Sequence, residues 1–186
     1  MRKDLGPKSY IYPMPVLIIA TYNEDGTVDA MNAAWGGISG NNEISIFINH
    51  ERKTLKNIFA RGAFTVSIAD ATHVTECDYV GIVSANDTPD KFKKTGFHAT
   101  KSEFIDAPII DELAMALECK KVSYDEKTCR LVGEIVNVSA DESILNADGK
   151  IDPIKLDPIT FDSVGNLYFR MNEVVGHAFE DGKELK

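Results

Sequence analysis

The sequence predicts a mainly β domain, a closed Greek-key barrel carrying a few short helices. Apolar residues recur with period two in short stretches. Ile44, Ile46 and Ile48 alternate with Ser45, Phe47 and Asn49, and Phe64, Val66 and Ile68 with Thr65 and Ser67. Turn signals close such stretches, among them Asp25-Gly26, residues 125–128 and Gly165-Asn166. Helical periodicity is confined to short pieces. At least six strands against few helices fit a barrel better than a βαβ sheet.

In chain order, Pro13 and Pro15 lead into a buried strand over 16–20, and the Asn23-Glu24-Asp25-Gly26 turn returns a strand over about 27–34. Its close, Asn32-Ala33-Ala34-Trp35-Gly36-Gly37, mixes small residues with the only tryptophan. Small residues admit a flat ligand or another backbone, and plain strand packing accounts for them equally well. After the strand at Ile44, Thr54 is placed to cap a short helix with Leu55, Ile58 and Phe59 on one face, stopped by Gly62. Beyond the strand at Phe64, Thr72 opens a second helix with Val74 and Cys77 inward, ended by Gly81. Thr88 caps a third over 90–95, with Pro89 at its first position and Gly96 closing it. Strands over 114–123 and 129–139 follow, then a helical piece over 142–147, a loop punctuated by Pro153 and Pro158, and a hairpin of 159–162 with 167–171. The polar tail 172–186 keeps Val174, Val175 and Phe179 available to dock.

At 186 residues the chain is most simply one domain with a sizeable core, and 44% hydrophobic with 26% charged residues is ordinary for a soluble protein. A net charge of −9 argues against general binding to nucleic acid or to anionic membranes, so an anionic ligand needs local positive charge. No apolar run reaches a membrane span, and MRKDLGPKSY lacks the apolar run of a signal peptide. Cys77, Cys119 and Cys129 contain no CxxC and read as reduced thiols of a cytoplasmic protein. No His/Cys/carboxylate cluster has metal-ligand spacing, and no histidine pairs with a nucleophile in a known motif.

Local positive charge stands where the Ile44 strand turns into its helix. Asn49, His50, Glu51, Arg52, Lys53 and Thr54 bring two cations, a hydroxyl and free backbone N–H groups together, an arrangement that suits a phosphate. Basic residues ahead of a helix are also commonly just solvated, and both readings stand on these residues. Neither GxGxxG nor GxxxxGK[ST] is present. Lys91, in the first turn of the third helix, opposes the helix dipole; a bound anion explains it, and so does a solvated lysine.

With these pieces placed, the chain resembles the flavin reductase-like family of FMN-binding split barrels, and within it the flavoredoxin type. The resemblance runs from Pro13-x-Pro15-Val16 to Val175-Gly176-His177-Ala178-Phe179. It is carried by Asn32-Ala33-Ala34-Trp35, by Arg52-Lys53-Thr54-x-x-Asn57-Ile58, by Gly81-x-Val83-Ser84 with Asp90-Lys91-Phe92, and by Leu117-Glu118-Cys119, all in the expected order. It implies a six-stranded split barrel, a homodimer with one FMN per subunit near the interface, and a phosphate on Arg52, Lys53 and Thr54 assisted by Ser84 and Lys91. The ring would lie along Asn32, Ala33, Ala34 and Trp35, and Asn49 and Asn57 complete the candidate set. The expected activity is an FMN-dependent oxidoreductase fed by reduced pyridine nucleotide or by a protein donor. The alternative is an FMN electron carrier without a nucleotide site. No catalytic side chain is assigned. Gly36-Gly37-Ile38-Ser39 lacks the cysteine some relatives place near the flavin, and His177 matches a nucleotide-site histidine too loosely to carry that role.

Overall fold

The computed structural model describes residues 1–186. A two-residue strand β1 (Met14–Pro15) leads into β2 (Leu17–Tyr22), which has almost no solvent face. Val16, Ile18 and Ala20 pack into one apolar cluster, and Leu17 and Ile19 into a second on the opposite side. The expected turn, with Gly26 at φ 83°, returns the chain as β3 (Val28–Ala33). The backbone N–H of Asn23 donates to Thr27 O at 2.8 Å there. A second hairpin pairs β4 (Gly36–Ile38) with β5 (Glu43–Phe47).

Helix α1 (Lys53–Arg61) follows, and Gly62 ends it in the left-handed region as expected. Then come β6 (Ala63–Ile68), α2 (Val74–Ile82) and α3 (Lys91–Thr95), the last closed by Gly96. Two three-residue strands, β7 (Ala99–Lys101) and β8 (Pro108–Ile110), pair with each other. The long strands β9 (Met115–Asp125) and β10 (Arg130–Ala140) pair along their length, with register shifts at Val132/Gly133 and Ile135/Asn137. Such bulges bend a strand pair and increase its twist. At the first of them a Cβ on Gly133 would stand 2.5 Å from the Phe64 ring, so glycine lets the core phenylalanine fit under the bend. A short helix α4 (Pro153–Leu156) precedes the last hairpin, β11 (Ile159–Asp162) and β12 (Leu167–Arg170).

The main sheet is antiparallel, in the order β3-β2-β6-β9-β10-β5-β4. It holds seven strands where six are expected, and its end strands β3 and β4 do not pair with each other. The sheet is curled: β3 and β4 are consecutive, joined by Ala34 and Trp35, so one bent run pairs with β2 at one margin of the sheet and with β5 at the other. A three-residue strand with two glycines carries no periodic signal, which is why Gly36 and Gly37 read as the close of the preceding strand and not as a strand of their own. A second sheet, β1-β11-β12, carries the last hairpin, whose Phe161 reaches Trp35.

Several helix ends differ from the expectation. Helix α3 starts at Lys91 after Asp90, so Thr88 does not cap it and Pro89 is not its first position; Thr88 closes a turn instead, its carbonyl accepting from the Lys91 N–H at 3.1 Å. The hydroxyl of Thr54 does not cap α1 but donates to Asp29 Oδ2 at 2.5 Å. Helix α2 begins after Thr72, where Asp70 Oδ1 accepts from the N–H groups of Thr72 and His73, and it continues through Gly81. Pro153 opens α4 instead of breaking a loop, because Asp152 caps the N–H of Ile154. The helical piece after Asp141 is shorter than expected, a 3-10 turn at Glu142–Ile144. Val174, Val175 and Phe179 remain exposed in the tail. No helix is long and apolar enough to cross a membrane.

Candidate functional site

A cleft of about 480 Å³ lies along the end of β3, within the usual range of roughly 300–1,000 Å³ for a small-molecule site. Met31, Asn32 and Ala33 of β3 line it, with Ala34 and Trp35 after them. Phe47, Ile48, Asn49 and Arg52 come from the end of β5 and the approach to α1, Asp78 and Gly81 from α2, and Phe161, Asn166 and Tyr168 from the last hairpin. A narrow extension, a small adjoining pocket of about 20 Å³, shares Met31, Asn32, Arg52 and Gly81 with the cleft and is also lined by Lys53, Thr54, Ser84, Ala85 and Lys91.

The wide end is largely apolar and aromatic. Trp35, half exposed, stands edge-on to Phe161 with ring centroids 6.4 Å apart, and Phe161 contacts Tyr168 at 5.8 Å. Helix α2 lies directly on β3: a Cβ at Gly81 would come within 2.9 Å of Asn32 Cβ. Asn32 Nδ2 donates to Cys77 O at 3.0 Å, which fixes the amide at the cleft wall. Tyr168 donates its hydroxyl to Asp78 Oδ1 at 2.8 Å. Burial, with that carboxylate second, pushes the Tyr168 hydroxyl up to about 12, so it stays protonated at neutral pH. Burial likewise pushes the Cys77 thiol up to about 12, which removes it as a nucleophile.

The narrow end is polar and built on the start of α1. Asn49 shapes the approach, its Oδ1 accepting from the Glu51 N–H at 2.9 Å and its carbonyl from the Arg52 N–H at 3.1 Å. No side chain caps α1, and its first turn holds no acidic residue. The first N–H groups of a helix lack intrahelical partners and carry partial positive charge, so this end is open to an anion, with Arg52 and Lys53 beside it. Asn86 ties the facing loop down, donating from Nδ2 to Glu51 O at 3.1 Å, while its N–H donates to Ser84 Oγ at 3.2 Å.

Of the candidate residues, Asn32, Ala33, Ala34, Trp35, Asn49 and Arg52 line the wide cleft, and Arg52, Lys53, Thr54, Ser84 and Lys91 meet at the narrow extension. Asn57 lies in neither; it is buried, and its Nδ2 donates to Asn23 Oδ1 at 2.8 Å, bracing α1 against the β2–β3 turn. Lys91 is also buried, its ammonium engaged by protein groups. The sequence reading missed Asp78, Phe161, Asn166 and Tyr168. Their segments lie far along the chain from β3, and nothing local marks them as neighbours of Trp35. Gly81 carried a usable signal, because a glycine between Val80 and Ile82 inside a helix costs roughly 0.5–1 kcal/mol relative to alanine and so calls for a packing reason.

A family model described as the flavin reductase like domain matches residues 9–155. The chain belongs to the flavin reductase-like family. Among solved structures, this flavin reductase-like chain is similar to the flavoredoxin of Desulfovibrio vulgaris (Miyazaki F), with a TM-score of 0.92 and 37% identity over 98% of this chain and 100% of that one. It is similar to a flavoredoxin from Methanosarcina acetivorans, at a TM-score of 0.89 and 28% identity over the whole of both chains. The FMN-binding domain of a flavin reductases-like enzyme from Shewanella baltica OS155 shares the fold, at a TM-score of 0.78 and 17% identity over 88% of each chain. No curated protein sequence matched.

Proposed function

We propose that the protein is an FMN-binding flavoprotein that passes electrons between a donor and an acceptor. The observation that carries this reading is a slot of two adjoining pockets that share Met31, Asn32, Arg52 and Gly81: an aromatic-lined cleft, and beside it an uncapped helix N-terminus with no acid in its first turn, flanked by Arg52 and Lys53. FMN is a planar ring system carrying one phosphate, and the slot offers a place for each part. The family and the flavoredoxin and FMN-binding structures support the same cofactor. When bound, FMN supplies reversible one- and two-electron redox chemistry.

The chain's own residues bind, orient and exclude water. Arg52, Lys53, the first amides of α1 and the Ser84 hydroxyl hold the phosphate, with Thr54 and Lys91 behind that surface. The small residues Ala33 and Ala34 admit the ring along β3, and Trp35, Phe161 and Tyr168 enclose it. Asn32, with its amide oriented by Cys77 O, and the protonated hydroxyl of Tyr168 are polar groups at the wide end. No acid, base or nucleophile of the protein needs to react.

Two readings of the electron source are open to one experiment. In the first, reduced pyridine nucleotide feeds the bound FMN; in the second, favoured by the two flavoredoxin matches, a protein does and no nucleotide site exists. Anaerobic NADH or NADPH bleaches the flavin absorption in the first case. In the second it does not, while dithionite does. The reading as a whole requires FMN to be retained in equilibrium dialysis at micromolar protein, and no retention would sink it. A homodimer is part of the proposal, because Trp35, Phe47 and the apolar residues of the tail stand exposed in the single chain. Sedimentation showing a monomer that binds FMN fully would remove that part alone.

A further inference from the structure

Behind the narrow end lies a carboxylate that the cofactor does not account for. Asp29 on β3 is 1% exposed, yet its Oδ1 has no hydrogen-bond partner. Its Oδ2 accepts the Thr54 hydroxyl at 2.5 Å. Lys91, 3% exposed, places Nζ 3.6 Å from Oδ1, an ion pair too long for a hydrogen bond. The same ammonium donates to Val80 O at 3.2 Å and Val83 O at 3.1 Å, carbonyls at the C-terminal end of α2. Asp29 thus takes up the hydroxyl of one residue of the narrow extension and the charge of another. Burial pushes the Asp29 carboxyl up, with Lys91 opposing, and burial pushes the Lys91 ammonium down, with Asp29 opposing.

Replacing a buried ion pair by apolar residues of similar volume is often neutral or stabilising, so stability alone does not call for this one. Its position does. With Lys91 matched by Asp29, the cations at the narrow end that form no salt bridge are Arg52 and Lys53, enough for the roughly −1.5 to −2 charge of a phosphate monoester. We propose that Asp29 is a positioning residue that holds the Lys91 charge and the Thr54 hydroxyl back from the phosphate, so that FMN is bound exchangeably and not locked in. The inference rests on the FMN reading above and deepens it, from which cofactor is bound to how firmly.

The test is a set of FMN and riboflavin titrations, with stopped-flow release of FMN, on the full chain. Asp29→Asn keeps the shape and removes the charge, leaving the phosphate as the partner of Lys91. FMN should bind roughly fivefold tighter or more and leave correspondingly more slowly, the effect of one released charge at partial screening, while riboflavin is unchanged. Lys91→Met should weaken FMN alone by about tenfold or more, because Asp29 then faces the phosphate uncompensated. The double variant Asp29→Asn/Lys91→Met removes both charges and should return the FMN-over-riboflavin preference to within about threefold of the wild type. The double variant decides the matter even where Asp29→Asn alone does not fold. Equal changes for both flavins on Asp29→Asn, or a double variant as weak for FMN as Lys91→Met, would overturn the inference; the latter means that Lys91 grips the phosphate directly. A wild type with no preference for FMN over riboflavin is a separate outcome, since it overturns the placing of the phosphate itself.

Discussion

At the wide end of the cleft, Asn32 and Trp35 meet Phe161 and Tyr168 of the distant last hairpin through shape, ring contacts and a few hydrogen bonds. At the narrow end, Arg52, Lys53 and Thr54 come from one short run of sequence and meet Ser84 and Lys91 from a second, and the groups present are charges, hydroxyls and unpaired helix amides. On the proposed reading, the first end would take a ligand by its flatness and the second would tell a phosphate from its absence. Substitutions at the wide end should therefore affect FMN and riboflavin alike, and substitutions at the narrow end should affect FMN alone.

The largest effect is expected from Arg52→Ala. A hydrogen bond to a charged group contributes roughly 1.5–3 kcal/mol, so FMN binding should weaken by roughly 10- to 150-fold with riboflavin little changed. Titrations with both flavins measure it, and equal losses would show that Arg52 supports the fold and not the phosphate. Gly81→Ala tests the opposite end. Its Cβ would meet Asn32 Cβ at 2.9 Å, and overpacking of this kind costs about 1–3 kcal/mol. The melting temperature should fall and both flavins should weaken by the same factor; selective loss of FMN would contradict the division between the ends.

Lys53→Ala should weaken FMN less than Arg52→Ala does, because a lysine lacks the planar fork that pairs with two phosphate oxygens. Added salt should weaken FMN more than riboflavin, since partly exposed charges are screened. The smallest effect is expected from Tyr168→Phe, which removes the hydrogen bond to Asp78 and costs about 0.5–1.5 kcal/mol. Thermal unfolding should register that loss, and the ratio of FMN to riboflavin affinity should stay constant.

The same division explains what could be read from the sequence. The narrow end was legible because its chemistry is contiguous: an alternating strand, a basic turn and a helix start lie within residues 44–58. The wide end was half legible, through the small residues and the tryptophan at 32–35. Phe161 and Tyr168 reach it only through the pairing of β11 with β1 and β12, which no local pattern encodes. Lys91 shows a sound observation with an incomplete cause. Its conflict with the helix dipole was visible, but the carboxylate that answers it, Asp29, arrives from β3. The same carboxylate takes the Thr54 hydroxyl, so a residue of good capping type does not cap. The long strands followed their period, whereas β4, β7 and β8, each three residues long, are too short to show one.

The one-sided pairing of β3 has a consequence for the protein without its cofactor. β3 pairs with β2 on one side only, so its other row of backbone N–H and C=O groups is a free strand edge. Helices α1, α2 and α3 pack against this strand, a common way of shielding an edge, but its last residues open onto the cleft instead. A planar heterocycle with its own donors and acceptors can complete that edge as a further strand would. Stripped protein is then expected to self-associate edge to edge, and static light scattering should rise on removal of FMN and fall again on its return. Scattering that ignores FMN would show that the helices alone suffice to blunt the edge.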